Sequence, residues 1–181
     1  MVRIDRAWRR ATVVMALLGA VGAVLVPVVR AVSPAPSSTP SGLVPIVPCR
    51  LIDTRPTTAV GPWSEPVGPD STIDVEVRGI NGNCAIPAAA VAIAANVTIV
   101  DPTAPSFLTL YPADAASVPN SSNLNWFAPS PPTPNHVTVG LSADGAIKVY
   151  NLAGDVHVII DIVAYYTPLP ATPIVTVPVT T

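Results

Sequence analysis

The chain has 181 residues, of which 50% are hydrophobic and 11% charged, with 23 prolines, two cysteines and a formal net charge of −2. So high an apolar fraction excludes an intrinsically disordered chain. Beyond the N-terminus the basic residues are Arg50, Arg55, Arg78 and Lys148, scattered rather than clustered, which disfavours nucleic acid and anionic membrane surfaces as partners.

The first ten residues carry Arg3, Arg6, Arg9 and Arg10 against the single acid Asp5, and an uninterrupted apolar run follows from Ala11 to Val29. This pattern predicts an export segment, a signal or anchor helix over residues 1–31. Its length is close to that of a bilayer span, which leaves both cleavage and anchoring open. Pro27 and the Val29-Arg30-Ala31 triplet favour cleavage after Ala31, so a membrane is a partner only through residues 11–29, and only if they are retained. Arg9-Arg10 is poorly matched to a twin-arginine signal by the Ala11-Thr12-Val13-Val14 that follows, so general secretion is the expected route. Removing residues 1–31 leaves four basic and ten acidic residues, a formal charge of −6.

Residues 32–43 read as a Pro/Ser-rich spacer, residues 44–168 as one folded domain and residues 169–181 as a Pro-rich tail. Frequent Pro, Gly, Asn and Asp between short apolar runs indicate an all-β domain. A first strand is expected at Leu51–Thr54. Alternation is cleanest at Thr72–Arg78, where Ile73, Val75 and Val77 share one face and Asp74, Glu76 and Arg78 the other. Val91–Val100 is more continuously apolar and reads as a strand covered on both faces, with a helix from Pro87 through Ala95 as the competing reading. Further strands are expected at Ser106–Tyr111, Asn123–Phe127, His136–Leu141, Ala146–Asn151 and Val156–Tyr166. Ala143-Asp144-Gly145 and Leu152-Ala153-Gly154-Asp155 have hairpin-turn chemistry, which predicts three consecutive antiparallel strands from His136 to Tyr166. Eight or nine strands suit a single antiparallel β-sandwich of jelly-roll or immunoglobulin-like type.

Cys49 and Cys84 are the only cysteines, both beyond the apolar N-terminus, and in an oxidising compartment they form one disulfide. Asp53 and Arg55, two apart on a strand, share a face where they pair or bind turn amides. Asn96 and Asp161 are assigned with them to a structural polar network. His136 and His157 lack the paired spacing of a zinc site, no G-x-S-x-G elbow occurs, and neither a metal nor a cofactor is expected. The run Asn120–Trp126 is the candidate recognition surface: Asn123 and Asn125 offer amides to sugar hydroxyls, while Trp126 and Trp63 offer faces for a pyranose to stack on. The preferred reading of these residues is nonetheless an internal amide ladder that pins strand to turn, with Trp126 in the core.

Several motifs line up in one order: Pro48-Cys49-Arg50-Leu51-Ile52-Asp53-Thr54-Arg55, Asn83-Cys84-Ala85-Ile86-Pro87, Ala95-Asn96-Val97-Thr98, Leu108-Thr109-Leu110-Tyr111-Pro112, Ser122-Asn123-Leu124-Asn125, Asn135-His136-Val137-Thr138-Val139 and Ile160-Asp161-Ile162-Val163-Ala164-Tyr165-Tyr166. This set resembles a domain common in exported and cell-surface proteins of actinobacteria and some other bacteria, with a P-C-R-L-x-D-T-R start and a D-x-x-G-Y-F end. Ala164 stands where that pattern has Gly and Tyr166 where it has Phe; both keep an apolar strand end. The resemblance implies a secreted β-sandwich module of poorly defined molecular function.

The functional expectation is therefore a secreted, non-enzymatic interaction or structural module of the cell envelope, with cell-wall glycan or another envelope protein as its partner. The alternatives are an extracellular hydrolase using Asp53, Asp161 or a histidine, and a subunit of a surface homo-oligomer anchored by residues 11–29.

Overall fold

The computed structural model describes residues 40–170, and every regular element among them is a β-strand. No helix of the described residues is long and apolar enough to cross a membrane. The expected export segment, all but the last residues of the spacer, and the tail from Ala171 lie outside the described residues.

The strands are β1 (Ser41–Asp53), β2 (Ser71–Glu76), β3 (Gly79–Asn81), β4 (Cys84–Ile86), β5 (Ala92–Val100), β6 (Ser106–Pro112), β7 (Leu124–Trp126), β8 (Thr133–Gly140), β9 (Ala146–Asn151) and β10 (His157–Pro168). They form two four-stranded antiparallel sheets, ordered β1-β10-β5-β8 and β2-β9-β6-β7, and a separate β3-β4 hairpin. Alternation puts the β-branched and leucine side chains of both sheets into one core. Ile93, Val97, Ile99, Ile160 and Ile162 come from the first sheet, and Val75, Leu108, Leu110, Ile147 and Val149 from the second. Each such side chain withdrawn from water contributes roughly 1.5–3 kcal/mol. Ala92–Val100 is a strand and not the competing helix, because Ile93, Ala95, Val97 and Ile99 all face this core, a spacing of two that no helix can satisfy.

Three sequence expectations are corrected. β1 begins at Ser41, within the stretch read as spacer, and pairs with β10 out to Pro168. Pro45 and Pro48 are tolerated because β1 is an edge strand and its register slips between Pro45 and Cys49. The hairpin β3–β4 was not anticipated; its three-residue arms are too short to show alternation.

The third correction concerns topology. His136 to Tyr166 does not form three consecutive paired strands: β8 pairs with β5, β9 with β2 and β6, and β10 with β1 and β5. The turns themselves are where their residues indicated, with Gly145 at φ 91° and Gly154 at φ 61°. Each, however, carries the chain over the core to the other sheet. Buried Ser142 accepts from Ala146 N at its side-chain oxygen, and its carbonyl accepts from Gly145 N. Asn151, fully buried, donates to the carbonyls of Val67, Gly68 and Gly154 and accepts from the Ser106 hydroxyl, shaping the second crossing. Turn chemistry reverses the chain in either case; which sheet receives the next strand is decided by the core.

Gly145 is also a junction. Its carbonyl accepts from Val77 N and Arg78 N, while the Arg78 guanidinium reaches Ala90 O and Ala143 O, both at 2.8 Å. A Cβ at this position would sit 2.8 Å from Arg78 Cβ on a backbone already at positive φ. Gly145→Ala is expected to destabilise the fold by roughly 1–3 kcal/mol, read as a lowered urea midpoint with an unchanged slope. An unchanged midpoint would show that Arg78 and the crossing relax freely.

Candidate functional site

Two polar constellations stand out, one on each sheet. The first surrounds Asp53 at the end of β1. Arg55 Nε and N donate to Asp53 Oδ1 at 3.0 and 3.1 Å, and Arg55 Nη2 donates to Oδ2 at 2.7 Å. Thr58 Oγ1 and Arg50 Nη1 donate to the same Oδ2 at 3.0 and 3.2 Å. Asp53 is 0% exposed, and the Arg55 guanidinium beside it, overcoming the opposing effect of burial, lowers its pKa to about 2. Arg50 also forms a two-point pair with Asp161, Nε–Oδ1 at 2.8 Å and Nη2–Oδ2 at 3.0 Å. Asp161 and Asp53 in turn raise the pKa of Arg50. The network thus joins Asp53, Arg55 and Asp161 through Arg50, which the sequence reading did not single out. Asn96 faces Asp161 across the ladder, but its amide donates to Thr98 Oγ1 at 3.3 Å, so it is a neighbour of the network and not a hydrogen-bonded member.

Next along the chain, Thr54 is also fully buried and accepts from Val158 N at 2.9 Å. Its hydroxyl lies 3.1 Å from His157 Nδ1. Every strong acceptor of Asp53 is committed, and neither oxygen opens onto a cleft. This constellation fixes the chain where it leaves β1.

The second constellation lies over the outer face of the β2-β9-β6-β7 sheet. Strand alternation sends Leu108, Leu110, Leu124 and Trp126 inward, and leaves Phe107 of β6, Asn125 of β7 and Tyr150 of β9 on the outside. Phe107 pairs with Asn125 across the ladder, and the Phe107 and Tyr150 rings are tilted by 56° with centroids 6.2 Å apart, a favourable aromatic geometry. The β6–β7 connection folds back over these side chains. It is held there by the buried Thr109 hydroxyl, which donates to Ser121 O at 2.5 Å, and by Asn123 Oδ1, which accepts from Leu110 N at 2.7 Å. Between connection and sheet is an open cleft of about 570 Å³. Phe107, Tyr150 and Val118 supply its apolar surface, and Asn120, Ser121 and Asn125 its polar groups. Among the described residues, no side chain lining it carries a charge. The Tyr150 hydroxyl donates to Asp70 Oδ1 at 2.9 Å, and that carboxylate raises the phenol's pKa, so the hydroxyl stays protonated.

The four candidate ligand-binding residues of the sequence divide. Asn125 lines the cleft, donating to the Ser122 hydroxyl at 3.0 Å. Asn123 serves as the peg that holds the connection. Trp126 is 7% exposed, a member of the core, with its indole N–H on Ala104 O at 3.0 Å; it has no free face for a sugar. Trp63 is half-buried against the core at the β2 edge, donating to Asp74 O at 3.0 Å, across the sheet from β7. The stacking surfaces that reasoning from sequence missed are Phe107 and Tyr150. Their signal was present: Phe107, Thr109 and Tyr111 share the face opposite Leu108 and Leu110, so β6 presents aromatic residues outward.

A smaller cleft of about 190 Å³ lies further along the same sheet, where Asp74, Glu76, Asp114 and Asp144 gather. Among the described residues no group of His, Cys, Asp or Glu has the arrangement to hold a metal ion. Cys49 and Cys84 form a disulfide with Cα atoms 5.2 Å apart, as expected. Such a bond persists in an oxidising, extracellular-type environment. No family model matches the chain, and no curated protein matches its sequence.

Proposed function

We propose that this is a secreted, non-enzymatic module of the bacterial cell envelope that binds glycan, with a two-sheet sandwich of jelly-roll type as its scaffold. Support for the scaffold comes from the strand order. Setting aside the β3-β4 hairpin, the eight remaining strands cross between the sheets at every connection except β6–β7, giving the β1-β10-β5-β8 and β2-β9-β6-β7 pattern of two nested Greek keys. Support for export comes from the charged-then-apolar N-terminus, the disulfide and the resemblance to exported actinobacterial domains. The single observation that carries the glycan reading is the cleft under the β6–β7 connection, which combines aromatic surface with amides and hydroxyls, the chemistry a sugar ring offers in mirror image.

The hydrolase alternative lacks comparable support. Asp53 is enclosed by two guanidinium groups and Thr58, and Asp161 is held in a two-point pair by Arg50. A carboxylate so committed is a poor general acid or base near neutral pH.

The test is retention of the folded chain on an insoluble cell-wall polysaccharide preparation. Wild type is expected to be retained, and Asn125→Ala and Phe107→Ala are expected to weaken retention by roughly ten- to a hundredfold. Trp126→Phe, which keeps the core filled, is expected to bind as wild type does. Failure of the wild-type protein to be retained would remove the glycan reading.

A further inference from the structure

We infer that the ligand of the cleft is an uncharged saccharide chain, bound across two aromatic platforms, with Phe127 as the second. This rests on the glycan reading and narrows it in charge and in length.

Charge is fixed by what surrounds the cleft. Its lining has no cation to meet a carboxylate, sulfate or phosphate. Among the described residues, the one charge hydrogen-bonded to a lining side chain is negative, the Asp70 carboxylate that accepts from the Tyr150 hydroxyl. The rest of the sheet face adds Asp74, Glu76, Asp114 and Asp144, opposed by Lys148, which stands 3.9 Å from Asp74, and by Arg78, whose guanidinium is committed to Ala90 O and Ala143 O. An anionic polymer laid on this surface would meet repulsion with no compensating ion pair. The amides Asn120 and Asn125 and the hydroxyls of Ser121 and Ser122 instead match neutral hydroxyl groups.

Length follows from Phe127. It is 83% exposed and no member of the core, so its ring is free to meet a sugar face. It directly follows Trp126 and continues the alternation that buries Leu124 and Trp126 and exposes Asn125. Carried one residue past the end of β7, that alternation puts Phe127 on the outer side of the sheet, about 7 Å from Asn125 at ordinary strand rise. That is farther than one sugar ring reaches from the Phe107–Tyr150 surface. A single sugar can lie on the Phe107–Tyr150 surface; only a chain of two or more reaches both platforms.

The experiment is affinity electrophoresis of the full exported chain through gels containing dextran, mannan or galactan as neutral probes, or alginate as the anionic one. It is followed by competition with the retarding polymer's own monosaccharide and tetrasaccharide. At least one neutral polymer is expected to retard the protein and alginate is not, and the tetrasaccharide is expected to compete about tenfold better than the monosaccharide. Phe127→Ala, at a site too exposed to disturb folding, is expected to weaken polymer binding about tenfold and to leave competition by the monosaccharide unchanged. Val47→Ala, equally exposed at 87% on β1, controls for loss of surface apolarity and is expected to change nothing. Retardation by alginate as strong as by neutral polymers, or a Phe127→Ala protein that binds as wild type does, overturns this inference while the glycan reading stands. Absence of retardation by every polymer also overturns this inference, and the glycan reading falls with it only if the wild-type protein is not retained on the cell-wall polysaccharide either.

Discussion

Replacing both Cys49 and Cys84 by alanine is expected to lower the stability of the fold by about 4 kcal/mol, on the chain-entropy account of a loop closed over a sequence separation of 35. Against a typical domain stability of about 5–15 kcal/mol this is a large fraction, and the thermal midpoint should fall by on the order of 10 °C. The location of the bond explains why the loss is more than entropic bookkeeping. β3 and β4 belong to neither sheet; apart from the bond, the hairpin is held to β1 by Asn83 N donating to Arg50 O at 2.8 Å and by the burial of Cys84 and Ile86. Gly82 in its tip, at φ 56°, lies so close to β1 that a Cβ would come within 2.7 Å of Arg50 O. The bond therefore holds a small hairpin against the same strand whose Arg50 carries the Asp53–Asp161 network. Reduction should free the hairpin first, seen as hydrogen exchange at 79–86 rising ahead of the sheets, and lower the global midpoint with it. Equal midpoints for the reduced and oxidised proteins would show that the hairpin docks without the bond.

What could be read from the sequence, and what could not, divides along the range of the interactions involved. Alternation at Ile73-Asp74-Val75-Glu76-Val77 reports a strand because the period is written in neighbouring residues. The disulfide was legible because two cysteines allow only one pair. The two-residue hairpin loop Gly82-Asn83 had a local signal too, Gly leading Asn, but its arms offered no alternation to confirm it. Gly145 and Gly154 announced turns correctly, yet the strands they join lie in different sheets. Pairing partners such as β1 and β10 are more than a hundred residues apart, and that choice is made by the core as a whole. Trp126 was legible: although it stands beside five polar residues that make it a candidate binding aromatic, its parity with Leu124 sends it inward, as the amide-ladder reading has it. Phe107, assigned from the sequence to a strand but to no role, faces out beside Tyr150.

Asp53→Asn is expected to cost about 3–5 kcal/mol near neutral pH, the range for breaking a buried ion pair by removing one partner. An asparagine of the same shape keeps one carbonyl oxygen but places an NH2 group where Arg55, Thr58 or Arg50 now donates, so at least one donor is turned against another. The acid range isolates the part due to charge. Because the folded pKa is about 2 and the ordinary value is 3.8, the carboxylate's contribution of about 2 kcal/mol is fully present above about pH 4. It is lost as pH falls through about 2, where the folded state too takes up the proton. Urea unfolding at pH 7, 4 and 2 should therefore show a gap between wild type and Asp53→Asn that is constant from pH 7 to just above 4, then narrows toward pH 2. Arg55→Lys, which preserves the charge but not the two-point geometry, should lose part of the gap at pH 7 and show a weaker acid dependence. A gap independent of pH would mean that Asp53 acts by shape and hydrogen bonding alone. A folded Asp53→Asn protein as stable as wild type would overturn the structural role, and would return Asp53 to the residues a hydrolase could use.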